Sequence, residues 1–307
     1  MIAIIKEHLY SVKKSIIKFY ENKFTLKGKY SCVFPDKIYI KKVFELRAGK
    51  KLNLHNPQTF NEKCNWLKLY DRKPIYTIMA DKYLARQYIS ERIGDSHLIP
   101  LVGVWDRTDD IDFESLPDKF VLKCNHDNGV IICHDKNKLD FSATVTELNK
   151  KLQRNYYKKH REWPYKKIKR KIICEKLLEN SNGTPLLEYN VFCFNGIPKF
   201  FKVGSILSDG TLAKDFYDIN WNYLDMKTGA YAGDIFPKPF HYDDLLEIAK
   251  KLSQGTTHVR VDFYDCDNKL YNGELTFFSN GGHMKFMPEE WDNIWGNELA
   301  LPKKSRR

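Results

Sequence analysis

Two strand-like runs toward the C-terminal end carry the residues with the clearest chemical potential. In His258-Val259-Arg260-Val261-Asp262-Phe263 apolar and polar residues alternate, so Val259, Val261 and Phe263 share one face and Arg260 and Asp262 the other. In the next run Leu275 and Phe277 share a face, which leaves Glu274 and Thr276 on the opposite one. A turn over 265–269 folds the two runs into a hairpin and can set Asp262 beside Glu274, with Arg260 next to them. Two converging carboxylates suit Mg²⁺, which takes one or two protein carboxylates and completes its octahedron with water and phosphate oxygens. A structural Arg–Asp–Glu ion network fits the same spacing equally well.

A second candidate is Lys123, near the end of the apolar run Phe120-Val121-Leu122-Lys123-Cys124 and just before Asn125-His126-Asp127-Asn128-Gly129. A strand lysine followed by a turn with outward backbone amides can cradle phosphate. His126 either contacts phosphate or substrate there, or is a solvated loop imidazole. The seven cysteines are scattered and never spaced C-x-x-C, so they read as small buried hydrophobes rather than a disulfide framework or zinc site.

The elements that must position these residues alternate between hairpins and helices. The spacing predicts a helix capped by Asp81 and closed by Gly94, with Lys82 in its first turn, then a hairpin from 119–124 and 130–133. A helix over 142–156 follows, then strands over 171–178, 186–194 and 197–203, the last two joined by Asn195-Gly196. A helix over 242–252, strands over 258–265 and 270–278, and a helix opened by Pro288 complete the chain. This order predicts an α+β fold and argues against a doubly wound sheet.

The 307 residues allow roughly two domains, and no apolar run is long enough to span a bilayer, so a soluble, cytoplasmic chain is expected. The formal net charge is +12, but residues 1–30 and the last five residues carry +5 and +4, leaving a nearly neutral body. No nucleic-acid partner is therefore expected. The dense basic run over 158–171 reads as a solvated face or a phosphate-tracking surface. Residues 1–20 read as a basic amphipathic helix, with Ile5, Leu9, Val12 and Ile16 on its stripe, which either docks on the protein or makes weak peripheral contact with an anionic membrane.

Taken together, Asp81-Lys82, Phe120-Val121-Leu122-Lys123, Cys174-Glu175-Lys176-Leu177-Leu178-Glu179 and Arg260-x-Asp262 followed by Glu274-x-Thr276 resemble the nucleotide site of ATP-grasp enzymes, in that family's order. The phrases Asn56-Pro57-x-Thr59-Phe60-Asn61-Glu62-Lys63, Trp66-Leu67-Lys68-Leu69-Tyr70, Lys123-Cys124-Asn125-His126, Arg161-Glu162-Trp163-x-Tyr165 and Gly273-Glu274-Leu275-Thr276-Phe277 resemble its TupA-like branch, of the teichuronopeptide-synthesis type.

The resemblance implies an ATP-grasp fold in which two α+β lobes clamp ATP. It implies a mainly helical N-terminal region over 1–95 on the acceptor side, a small lobe with the phosphate hairpin over 96–180, and a large lobe with the metal hairpin over 181–307. Lys82 and Lys123 would bind the ATP phosphates, Glu175, Lys176 and Leu178 would meet adenine, and His126 would lie near the phosphates. Asp262 and Glu274 would hold Mg²⁺, with Thr276 standing where many of these enzymes have an Asn ligand, and Arg260 would act on the transferred phosphoryl group beside Lys123. The loop after Lys123 is shorter and poorer in glycine than is usual in the family. The implied activity is a carboxylate–amine ligase working through an acyl phosphate on a sugar acid or amino acid, in the modification of a bacterial surface polysaccharide. A kinase or glycosyltransferase on a glycan precursor, or a binding protein with a degenerate ATP site, are the alternatives.

Overall fold

The computed structural model describes residues 34–206, 210–228 and 236–303, so the basic segment 1–20 expected to be an amphipathic helix lies outside the described residues. The described residues open with four helices, α1 (Asp36–Ala48), α2 (Phe60–Tyr70), α3 (Ile75–Ala80) and α4 (Ala85–Ile93). The Asn56–Lys63 phrase explains the start of α2. Thr59 accepts the Glu62 backbone N–H at 3.2 Å while the Glu62 side chain accepts the N–H groups of Thr59 and Gln58, a reciprocal capping box. For α4 the cap differs from the expected one: Asp81 caps a preceding turn through the N–H groups of Tyr83 and Leu84, and the helix begins at Ala85. Lys82 therefore sits in the turn ahead of the helix, while Gly94 closes it as expected.

The small sheet takes β1 (Leu101–Trp105), β2 (Phe120–Cys124), β3 (Val130–Cys133) and, after α5 (Phe141–Gln153) and α6 (Tyr157–His160), β4 (Ile172–Lys176). It is antiparallel in the order β1-β4-β2-β3. Gly129 lies in its hairpin turn, and the Lys151 ammonium of α5 occupies the space where a Cβ would stand.

The large sheet is built from β5 (Leu187–Phe194), β6 (Ile197–Ile206), β7 (Leu212–Asp218), β8 (Tyr223–Leu224), β10 (His258–Cys266) and β11 (Lys269–Thr276), in the order β11-β10-β5-β6-β7-β8. Asn195 and Gly196 both take positive φ in the β5–β6 turn, as do Asp267 and Asn268 in the β10–β11 turn, the geometry of tight primed hairpins. Between β8 and β10 lie β9 (Lys227–Thr228) and α7 (Tyr242–Ser253); β12 (Phe286–Met287) and α8 (Glu290–Glu298) follow β11. The apolar stripe of α7, including Leu245, Ala249 and Leu252, is fully buried against the sheet, each leucine contributing roughly 1.5–3 kcal/mol in area removed from water.

Two cores result. One gathers Ile111, Phe120, Leu122, Leu148, Ile172 and Cys174 within the small sheet and α5. The other joins the opening helices to the large sheet, so the helical region expected over 1–95 shares its core with the C-terminal lobe. Phe60 lies against Trp295, Phe194 and His258, and Asn61 exchanges hydrogen bonds with the backbone of Met284. All six described cysteines are free and buried, which agrees with their reading as small hydrophobes. The basic run over 158–171 is a half-buried connection rather than a plain solvated face: Arg161 and Glu162 are each 2% exposed, and Arg161 stacks on Tyr39 at 4.0 Å.

Candidate functional site

The β10–β11 hairpin forms as its alternation dictates. Val259, Val261 and Phe263 are fully buried on the core side, and Asp262 stands directly across from Glu274, Arg260 across from Thr276. A bulge skips Gly273, where a Cβ would come 2.8 Å from the Tyr264 ring; this lets the Tyr264 side chain lie over the hairpin. Arg260 forks onto both Asp262 oxygens, and the same guanidinium reaches Glu274 at 3.3 Å, Thr276 at 3.2 Å and Ser279 at 3.4 Å. Thr276 donates to Glu274 at 2.7 Å.

Electrostatics sets the two carboxylates apart. Burial pushes the Asp262 carboxyl up to about 7, with Arg260 opposing. Glu274 also suffers desolvation, but Lys82 and Arg260 outweigh it and hold its carboxyl well below the ordinary range. Desolvation works against the Arg260 charge too, yet Asp262 and Glu274 reverse it and keep the guanidinium firmly protonated.

Lys82 joins the two sheets. Its ammonium lies 3.1 Å from Glu274 and 2.9 Å from the Asp127 carbonyl of the β2–β3 turn. That turn is held by Asn125, fully buried, which donates to Asp81 and to the Lys169 carbonyl and accepts from the Lys171 backbone. Lys123, on β2 just before that turn, has its ammonium 2.5 Å from Glu175, which Arg86 approaches at 3.3 Å. The backbones of Glu175 and Lys176 are committed to the sheet ladder, so within that segment Leu178, two residues past the strand and half-buried, stands beyond the paired positions. His126 is not solvated: it is 2% exposed, burial lowers its pKa, and its Nε2 faces the Arg154 carbonyl at 3.1 Å. It secures the turn from behind.

Sequence reasoning missed three neighbours on the same sheet face. Lys202 of β6 is half-buried beside Glu188, and desolvation followed by Arg260 lowers its pKa. Asn190 of β5, fully buried opposite Asp262, has both side-chain polar atoms without hydrogen-bond partners. Tyr264 continues the row of Arg260 and Asp262 on β10. The period-two alternation that exposed Asp262 runs through β5 and β6 as well, so the signal was present in Tyr189-Asn190-Val191 and Phe201-Lys202-Val203.

Asp262, Glu274 and Thr276 present oxygen donors only, and a guanidinium cation already rests where the carboxylates converge, so the donor set fits a hard divalent cation such as Mg²⁺. Among the described residues no group of three or more His, Cys, Asp or Glu is gathered as a metal cage. Among them, too, no helix is long and apolar enough to cross a membrane.

The Arg260–Asp262–Glu274 hairpin thus meets Lys82 from the turn ahead of α4, which also holds the β2–β3 turn that follows Lys123. The family model for TupA-like ATP-grasp proteins matches residues 62–300, and the chain belongs to that family. No curated protein matches it. Among solved structures it is similar to the D-alanine–D-alanine ligase from Bacillus anthracis complexed with ATP, with 15% identity and a TM-score of 0.37 over 65% of this chain and 54% of that one. It is also similar to the L-amino acid ligase from Bacillus licheniformis, with 12% identity and a TM-score of 0.48 over 87% and 62% of the two chains. The chain thus spans little more than half the length of the first ligase.

Proposed function

We propose that the protein is an ATP- and Mg²⁺-dependent carboxylate–amine ligase that activates a carboxylate as an acyl phosphate, its substrate a sugar acid or amino acid destined for a bacterial surface polysaccharide. The observation that carries this reading is the register that sets Asp262 against Glu274, with Arg260 between them and Lys82 reaching Glu274 from the turn ahead of α4. Each cation in the cleft rests on a carboxylate: Lys82 on Glu274, Lys123 on Glu175, Arg260 on Asp262. A triphosphate gives these cations a stronger anion, and Mg²⁺ would neutralise the carboxylates they leave and the phosphoryl oxygens as charge develops there.

The residues then do what phosphoryl transfer needs, which is positioning and charge neutralisation. Lys82 and Lys123 hold the phosphates, Arg260 faces both the γ-phosphoryl group and the acceptor carboxylate, and Leu178 with the neighbouring segment borders the base. The acceptor oxygen attacks phosphorus and ADP leaves; an amine then attacks the acyl carbon and phosphate leaves with the electron pair of the C–O bond. Hydroxylamine tests this directly. Screening uronic acids and amino acids with ATP and Mg²⁺ should reveal a carboxylate that yields a hydroxamate along with ADP, whereas a stable phosphomonoester product would establish a kinase instead.

A further inference from the structure

Beyond the nucleotide cleft, a second group of ionisable side chains is buried between α2, the α6 connection and the turn after β11. Lys68 is fully buried and donates to Asn65 Oδ1 at 2.9 Å and to the Gly281 carbonyl at 2.5 Å. Glu162 is 2% exposed and His160 7%, yet Glu162 Oε1 and His160 Nδ1 have no hydrogen-bond partner. Lys68 lies close enough for its charge to act on Glu162, but its hydrogen bonds go elsewhere. A buried carboxylate oxygen without a donor is costly, and proteins seldom keep one without a use.

Its position supplies the use. The rings of Tyr156 and Tyr165 lie 4.7 Å apart, and the Tyr165 backbone N–H donates to the Glu162 carbonyl at 3.2 Å, so this aromatic pair borders Glu162. Arg260 donates to Ser279, and the turn that begins there carries the Gly281 carbonyl bound by Lys68. The neighbouring Arg161 takes a left-handed backbone, φ 56°, at the residue that turns the chain into Glu162. At Gly281 a Cβ would lie 2.5 Å from the His160 ring, which shows how closely the turn covers the cluster.

We propose that Glu162 is the receptor for the ammonium group of the amine substrate and the base that takes its proton. This rests on the ligase reading. An ammonium group supplies the N–H donors that Glu162 Oε1 lacks. The ammonium gives one proton to the Glu162 carboxylate; the freed amine lone pair forms the C–N bond as the acyl C–O bond breaks, and the amine's second proton leaves with the departing phosphate. Burial raises the Glu162 pKa to about 7, with Lys68 and Lys159 opposing and Glu274 adding to the rise, which suits a base working near neutral pH. The ammonium chemistry is shared by amino acids and amino sugars.

Saturation-transfer NMR on the full-length protein with pools of amino acids and of amino sugars, each beside its N-acetyl counterparts, tests the assignment without turnover. Free amines of one pool should bind and their N-acetyl forms should not, which also identifies the source. Glu162→Gln should weaken that binding at least tenfold while ATP affinity is retained, and Glu162→Asp should restore part of it. Equal binding of free and acetylated forms, no binding of either, or unchanged binding in Glu162→Gln would overturn the proposal. ATP titration of the same sample keeps the two readings apart, since failure to bind ATP refutes the ligase and leaves the amine result standing.

Discussion

The two buried ionic clusters are solved in opposite ways. At the candidate site the central charges are paired: Arg260 with Asp262 and Glu274 and Lys82 with Glu274 at the β10–β11 hairpin, Lys123 with Glu175 on the small sheet. Around Glu162 the charges are equally deep, but the carboxylate oxygen Oε1 meets no donor and Lys68 is committed to a carbonyl and an amide oxygen. A paired cluster is stable without ligand and must exchange partners to work, whereas an unpaired one is destabilising until a ligand completes it. The first arrangement suits a nucleotide whose phosphates bring their own charge; the second suits a small cation.

The largest effect should come from breaking the paired side at its centre. Calorimetric titration of ATP with and without Mg²⁺ should show strong mutual enhancement in the native protein. In Asp262→Asn or Glu274→Gln that enhancement should fall by more than the roughly 10–100-fold that loss of an outer-shell partner costs a metal site. Equal Mg²⁺ enhancement in native and variant proteins would return the hairpin to a purely structural ion network.

A smaller effect is expected at Lys123, and it touches stability as well as turnover. Facing a cleft, the lysine reads from sequence as expendable for folding. In the structure it is 7% exposed and paired with a buried Glu175, so Lys123→Ala leaves that carboxylate with Arg86 alone. The expected loss is up to roughly 3 kcal/mol, the low end for removing one partner of a buried pair. Urea denaturation should show this loss and its recovery in Lys123→Met combined with Glu175→Gln, while ATP binding stays impaired in both. Full stability in the single variant would mean that Arg86 alone satisfies Glu175.

These clusters also differ in how far the sequence revealed them. Asp262, Glu274, Arg260 and Thr276 lie on two adjacent strands joined by a short turn, so local alternation was enough to place all four on one face. The large-sheet strands β5, β6, β10 and β11 and the helix α7 were legible for the same reason, since their periods are strong and their turns carry Asn and Gly. Helices α1 and α2 lack a clean stripe because tertiary contacts cover them on several sides; even Asn65 and Lys68 of α2 are fully buried. Strand β7 and the short strands β8, β9 and β12 also went unread, the last three having only two residues each. The Lys68–Glu162 cluster could not be read at all, because its members come from a helix, an irregular connection and a turn near residue 281, brought together only by the fold.

The finest discrimination between the clusters lies in pH. Burial raises the Glu162 carboxyl from its ordinary 4.5 to about 7. Between those values the folded protein holds a proton that the unfolded chain has released, so the stabilising contribution is complete below about 4.5 and is lost as pH rises through about 7. Lys68, the principal charge opposing the shift, is itself lowered by burial to about 8, and its titration strengthens the fold only at higher pH. Lys159 and Glu274, the other charges acting on Glu162, are retained in a Glu162→Gln variant, as are Tyr156 and Tyr165. The gap in melting temperature between Glu162→Gln and the native protein should therefore be smallest near pH 4.5 and widen in the variant's favour by several degrees toward pH 7.5. The corresponding free energy is at most about 3 kcal/mol for a shift of this size. Adding the amine that binds in the NMR screen should close the gap at neutral pH by stabilising only the native protein. A constant gap across the range, or a less stable variant at pH 7.5, would show that the carboxylate is satisfied without ligand and belongs with the paired cluster after all.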